Sequence, residues 1–166
     1  MEDNYRNNVV DFSLIYLNKY YNENDFVEDE LENKDFINYI FRQLFDTNIN
    51  DDGYGFDSST MQMSNNIGDL KIYNKDDPKK IDYLKEIKKG DLVFFHTKSL
   101  NDNSPTPNNN YPGHVGIYLG DNNFIHVSLT DDLIKVDKID DEWLKILVAS
   151  RDIIKGLRLN DKTNFL

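Results

Sequence analysis

The segment that most constrains this fold is a pair of apolar runs on either side of a turn: GHVGIYLG (113–120) and NFIHVS (123–128), joined by Asp121-Asn122. Both runs are rich in β-branched and aromatic residues, and Asp-Asn between such runs is turn chemistry, so the spacing predicts a β-hairpin. Its register matters, because a slip of one residue moves every side chain to the other face. A two-residue turn sets His126 opposite Ile117, on the face away from His114. A three-residue loop, with Asn123 in the left-handed conformation that asparagine tolerates, sets His126 opposite Tyr118. The second register gathers Val115, Ile117, Leu119, Ile125 and Val127 on one unbroken apolar face. It puts both imidazoles on the other face, with Gly116 and Tyr118. Continuity of the apolar face selects it.

Upstream the period becomes helical. In NKDFINYIFRQLF (33–45), Phe36, Ile37, Ile40, Phe41, Leu44 and Phe45 form one apolar stripe, with Asn33 placed to cap it. VVDFSLIYLNKYY (9–21) reads as a helix on the same grounds. Residues 22–32 are acidic and irregular, 46–58 are turn-rich, and a short helix fits around Ser59–Met63. Asp77-Pro78 opens another helix through KKIDYLKEI, with proline at its first position. After Lys89-Gly90 come strands: LVFF (92–95), the hairpin, LIKV (133–136), and one inside WLKILVASRDII (143–154). Helices first and strands second give the α+β class, N-terminal helices packed on a C-terminal antiparallel sheet. The 166 residues read as one domain, with a core over about 8–155 and a loose tail at 156–166. A long loop at 97–112 holds three of the four prolines and suits a lid or a binding surface.

Composition narrows the chemistry. A formal charge of −11 repels phosphate backbones, which argues against nucleic-acid partners. No apolar run reaches membrane-spanning length. The start, MEDNYRNNVV, is polar and shows no signal peptide, so the expectation is a cytoplasmic chain or one exported by a non-classical route. The cysteine count is zero, which removes disulfides, thiolate metal sites and any thiol nucleophile. His96, His114 and His126 match no local zinc signature, and the acidic run Glu28-Asp29-Glu30-Glu32 lacks the glycine turn of a calcium loop. No metal and no cofactor are expected. Two histidines on one strand face instead suit a base and the group that orients it.

At these residues the chain resembles the NlpC-type peptidoglycan endopeptidases, which are papain-like cysteine peptidases. IKKGDLVFF, GHVGIYLGDNNFIHVS and the closing EWLKILVASRDII, with its Trp143 and Arg151, follow the family's order. The resemblance implies a papain-like fold with His114 as base, His126 as orienter and Tyr21 on the oxyanion side. It sets Asn33 where the family carries its cysteine, followed by Lys34-Asp35 where the family has Ser-Gly. No Ser, Thr or Cys stands between Ser13 and Thr47 to substitute. The expectation is therefore a degenerate member that binds through a remnant cleft, with Tyr111 and Tyr118 as ligand contacts. Its partner would be a peptidoglycan stem peptide or another protein. The competing readings are an active hydrolase with another nucleophile or a metal, and an interaction module built on the 97–112 loop.

Overall fold

The computed structural model describes residues 2–20, 33–46, 69–74, 77–95, 114–128, 130 and 132–156. In chain order these form α1 (Glu2–Leu14), α2 (Asn33–Phe45), β1 (Asp69–Ile72), α3 (Lys80–Tyr83, running into a 3₁₀ turn at Leu84–Glu86), β2 (Leu92–Phe95), β3 (His114–Gly120), β4 (Asn123–Val127), β5 (Ile134–Lys138), α4 (Asp141–Ile146) and β6 (Leu147–Asp152). The strands make one six-stranded antiparallel sheet in the order β1-β6-β2-β3-β4-β5. The α+β architecture read from the sequence is the one observed.

Both faces of the sheet are covered. On one face Phe36, Ile37, Ile40 and Phe41 of α2 are fully buried, and Val9 of α1 lies beside them. They pack against Leu92, Phe94, Val115, Ile117, Ile125, Val127 and Ala149. A fully buried side chain of this size contributes roughly 1.5–3 kcal/mol, so the stripe on α2 is a principal contact of the fold. On the other face Val93, Phe95, Tyr118, Phe124 and Leu147 meet Tyr73, Leu84, Ile87 and the half-buried Trp143 and Leu144 of α4. Among the described residues no helix is long and apolar enough to cross a membrane.

The hairpin takes neither register considered from the sequence. The turn has two residues, with Asp121 and Asn122 both at positive φ (51° and 64°), as a type I′ turn requires. Gly120 pairs with Asn123, but the next pair is Tyr118 with Phe124, so Leu119 is an extra residue in β3. This bulge restores the face parity that a two-residue turn alone would have lost. Ile117 then lies opposite Ile125, and that register, continued by one residue, sets His126 beside Gly116 rather than Tyr118. The apolar face anticipated for the hairpin is present, reached by a turn and a bulge instead of a longer loop.

The first helix also differs from its expected bounds. It runs from Glu2 to Leu14, not over 9–21. Asn18 adopts φ 67° and its N–H donates to Ile134 O at 2.9 Å, while Tyr20 bridges Leu133, so the chain beyond the helix is drawn onto the start of β5. At the other end Arg6 holds the early turns. Its five N–H donors are all engaged: Nε and one Nη2 hydrogen on Glu2, the other on Asp152 at 2.7 Å, and the two on Nη1 on Asp91 at 2.9 Å and Lys89 O at 3.0 Å. These contacts tie α1 to the entrance of β2 and the exit of β6. The helix at Pro78 is shorter than expected and begins at Lys80, after a turn at Pro78-Lys79. Strand β1 and helix α4 were not anticipated, because elements of four and six residues carry too little periodicity to register. The short helix proposed at Ser59–Met63, the loop 97–112 and the tail from 157 onward lie outside the described residues.

Burial, reinforced by Asp152, pushes the Asp91 carboxyl up to about 7 even though Arg6 and the Lys88 N–H act in the opposite direction. Arg6 is thus the counter-charge for two crowded carboxylates. Replacing it by Met should cost about 3–5 kcal/mol at pH 7 in urea denaturation, the usual result of orphaning a buried ion partner. The deficit should narrow as pH falls toward 5, since protonation of Asp91, whose folded carboxyl is pushed up, removes the charge the variant would otherwise bury without a partner.

Candidate functional site

Three polar side chains run diagonally across neighbouring strands on the face opposite α1 and α2. His114 begins β3, and His126 lies on β4 beside Gly116 and opposite Lys135. Asp137 lies on β5 opposite Phe124. His114 Nε2 and His126 Nδ1 are 2.7 Å apart, and His126 Nε2 stands 2.6 Å from Asp137 Oδ2. The diagonal reach between the histidines depends on Gly116. A Cβ there would lie 2.7 Å from Phe124 Cδ2, 3.0 Å from Ile125 O and 3.5 Å from His126 Cβ. Only glycine leaves β4's aromatic side chains room to lie over β3 at this point.

Aromatic rings shield the pair. Trp143 of α4 stacks on His114 with centroids 5.8 Å apart and meets His126 edge-on at 5.4 Å. Phe95 and Phe124 pack on Trp143 at 4.8 and 5.0 Å. Trp143 is held in place by the cap of its own short helix, where Asp140 Oδ1 accepts from the N–H groups of Glu142 and Trp143, each at 3.1 Å. Both imidazoles are consequently buried, 3% and 2% exposed.

Burial disfavours a charged ring. It pushes His114 down to about 3, and the neighbouring His126 adds to the effect. His126 is lowered as well, because burial outweighs the hydrogen bond and the charge of Asp137, which act to raise it. At neutral pH the site therefore holds two neutral imidazoles against a carboxylate. A neutral imidazole is the form able to accept a proton.

His114 and His126 are thus brought together, as the sequence reading placed them. Tyr118 shares their face of the sheet, yet it is buried and its hydroxyl accepts from the Asn122 N–H at 2.9 Å, bracing the turn. Asn33 is the first residue of α2, and its side chain lies outside the described residues, as do Tyr21, His96 and Tyr111. A shared metal is not what joins the two described histidines, since their facing nitrogens bond to each other. Asp137 was missed. Its signal was the alternation of Lys135, Asp137 with Ile134, Val136 in β5, which extends past the expected end of that strand at 136.

Two tests follow. Between the unfolded pKa near 6.5 and the folded value about 3, the unfolded chain binds a proton at His114 that the folded chain does not. His114 thus contributes stability above pH 6.5 that is lost as pH falls through that window. Asp91 has the opposite sign, so the comparison is with a variant. From pH 7 to pH 5, H114Q should lose about 2 kcal/mol less than the wild type in urea denaturation. Gly116→Ala should destabilise by about 1–3 kcal/mol through overpacking and displace His126 from His114, visible as altered imidazole resonances.

Comparison with known proteins gives a consistent result. The profile of the NlpC/P60 family matches residues 33–151. A stretch of 70 residues is 37% identical to the probable endopeptidase NlpC homolog of Haemophilus influenzae, covering 42% of this chain and 30% of that protein. Among solved structures, NlpC2 from Trichomonas vaginalis superposes with a TM-score of 0.56 at 18% identity, over 87% of this chain and 44% of that one. The NlpC/p60 domain of the peptidoglycan hydrolase SagA gives 0.53 at 18% identity, over 89% of this chain and 97% of that domain. A lipoprotein-like NLP/P60 protein from Staphylococcus aureus gives 0.56 at 18% identity, over 92% of this chain and 42% of its own length. At such identities the structures speak for the fold. The chain spans under half the length of the Trichomonas protein and under a third of the Haemophilus one.

Proposed function

The chain belongs to the NlpC/P60 family, and on that premise we propose that it is a cell-wall peptidase-like domain that no longer hydrolyses its substrate and acts by binding. What carries the reading is one fact of composition: the chain contains no cysteine, while the imidazole pair that would serve one is intact. In this reading Asn33 stands at the nucleophile position at the start of α2, with Tyr21 on the oxyanion side. His114 is the residual base and His126 its orienter. An amide has no lone pair basic enough to attack a peptide carbonyl and cannot form a thiolate. Loss of the nucleophile from such a constellation costs about a million-fold in rate, roughly 8 kcal/mol. The ligand is a peptidoglycan stem peptide or a protein that presents similar peptide chemistry, contacted through Tyr111 and the 97–112 loop.

A second reading keeps the domain as a hydrolase with a different nucleophile. The observation in its favour is a buried, neutral base, His114, hydrogen-bonded to His126, which Asp137 holds in turn.

Purified protein incubated with stem peptides should leave γ-D-glutamyl bonds uncut. Asn33→Cys alone should recover little activity, because Lys34 and Asp35 replace the small residues that shape the family's turn. Stem peptide added to the wild type should shift the His114 resonances. Robust cleavage by the unmodified chain, abolished in H114A, would instead establish the hydrolase.

A further inference from the structure

The 2.7 Å contact between His114 and His126 is compatible with either direction of proton donation. The third group decides. Asp137 lies on β5, whose pairing with β4 sets it opposite Phe124, two residues from His126 on the same face. Its Oδ2 reaches His126 Nε2 at 2.6 Å. An ionised carboxylate has lone pairs only, so the nitrogen facing it must carry a hydrogen. A neutral imidazole has a single N–H, which leaves His126 Nδ1 bare. That nitrogen then accepts, and His114 Nε2 must donate. His114 has no second proton to place, so its lone pair is on Nδ1.

We propose that Asp137 is a positioning residue that fixes the tautomers of both histidines and leaves His114 Nδ1 as the acceptor of the site. The residue acts at a distance, through His126, and touches no ligand itself. The polarity it imposes makes His114 Nδ1 a hydrogen-bond acceptor, so a group bonded there must donate; with the opposite tautomers the direction would reverse. Asp137 is well placed for this role without being part of the packed core: its side chain is 43% exposed, whereas that of His126 is 3% exposed. The assignment rests on the geometry of the three side chains and holds whether the site binds or cleaves.

The experiment is two-bond ¹H–¹⁵N correlation spectroscopy on the full chain with ¹⁵N-labelled histidine at pH 7, which reports the nitrogen that bears each proton. The wild type should show both His114 and His126 protonated on Nε2. Asp137→Asn is nearly isosteric, and its amide can present either an oxygen or an NH₂, so both tautomers should populate in both rings. Asp137→Ala removes the acceptor altogether and should give the same loss of order; its folding is checked by circular dichroism, and the Asn variant carries the test if it fails. A wild-type His114 protonated on Nδ1 would overturn the proposal, as would a single unchanged tautomer in the folded variants.

Discussion

One extra residue in β3 organises much of this molecule. The Asp121-Asn122 turn closes the hairpin with Gly120 opposite Asn123, a pairing that, continued without interruption, would turn Ile125 and Val127 away from the face that carries Ile117. Leu119 absorbs the conflict as a bulge. From it follow the apolar surface on which α1 and α2 lie and the opposite surface where His114 and His126 meet. A local turn preference and a global burial pattern disagree here by a single residue, and a bulge satisfies both without loss of either.

The two buried polar clusters of the domain follow different physical rules. Around Arg6 charge is met by charge: every donor of the guanidinium has an acceptor, and three carboxylates crowd it, with the Asp91 carboxyl pushed up to about 7. Such an arrangement fixes geometry strongly while adding little net stability over an apolar substitute. Around His114 the imidazoles are kept neutral by aromatic walls, and the carboxylate of Asp137 sits at the edge where water reaches it. The first cluster locks a helix to the ends of β2 and β6. The second preserves a lone pair in a dry place, which is the condition for a proton acceptor or a selective hydrogen-bond acceptor.

Gly116 and Trp143 show how little of such a site resides in its titratable residues. The glycine is required because Phe124 and His126 from β4 occupy the space above it. The tryptophan is required because its ring covers both imidazoles at once. Neither would be selected by searching for chemistry-bearing side chains, yet without them the histidines would be apart or wet.

The α2 stripe, the strands at 92–95, 114–120 and 123–127, and the pairing of the two histidines were legible in the sequence because each rests on periodicity or parity over several residues. The absence of cysteine, and with it of any thiol chemistry, was fixed by composition alone. The first helix was misplaced because its limits are set from outside it, by Arg6 gripping Asp91 and Asp152 some eighty and more residues away, and by β5 capturing Asn18 and Tyr20. Asp137 could be seen as a polar residue on an alternating strand, as could Lys135, but nothing local distinguished them. That both stand beside His126, Lys135 directly opposite and Asp137 on the diagonal, is decided by the register of β5 against β4, a non-local pairing that exists only once the sheet has assembled, and of the two only the carboxylate can accept the ring N–H.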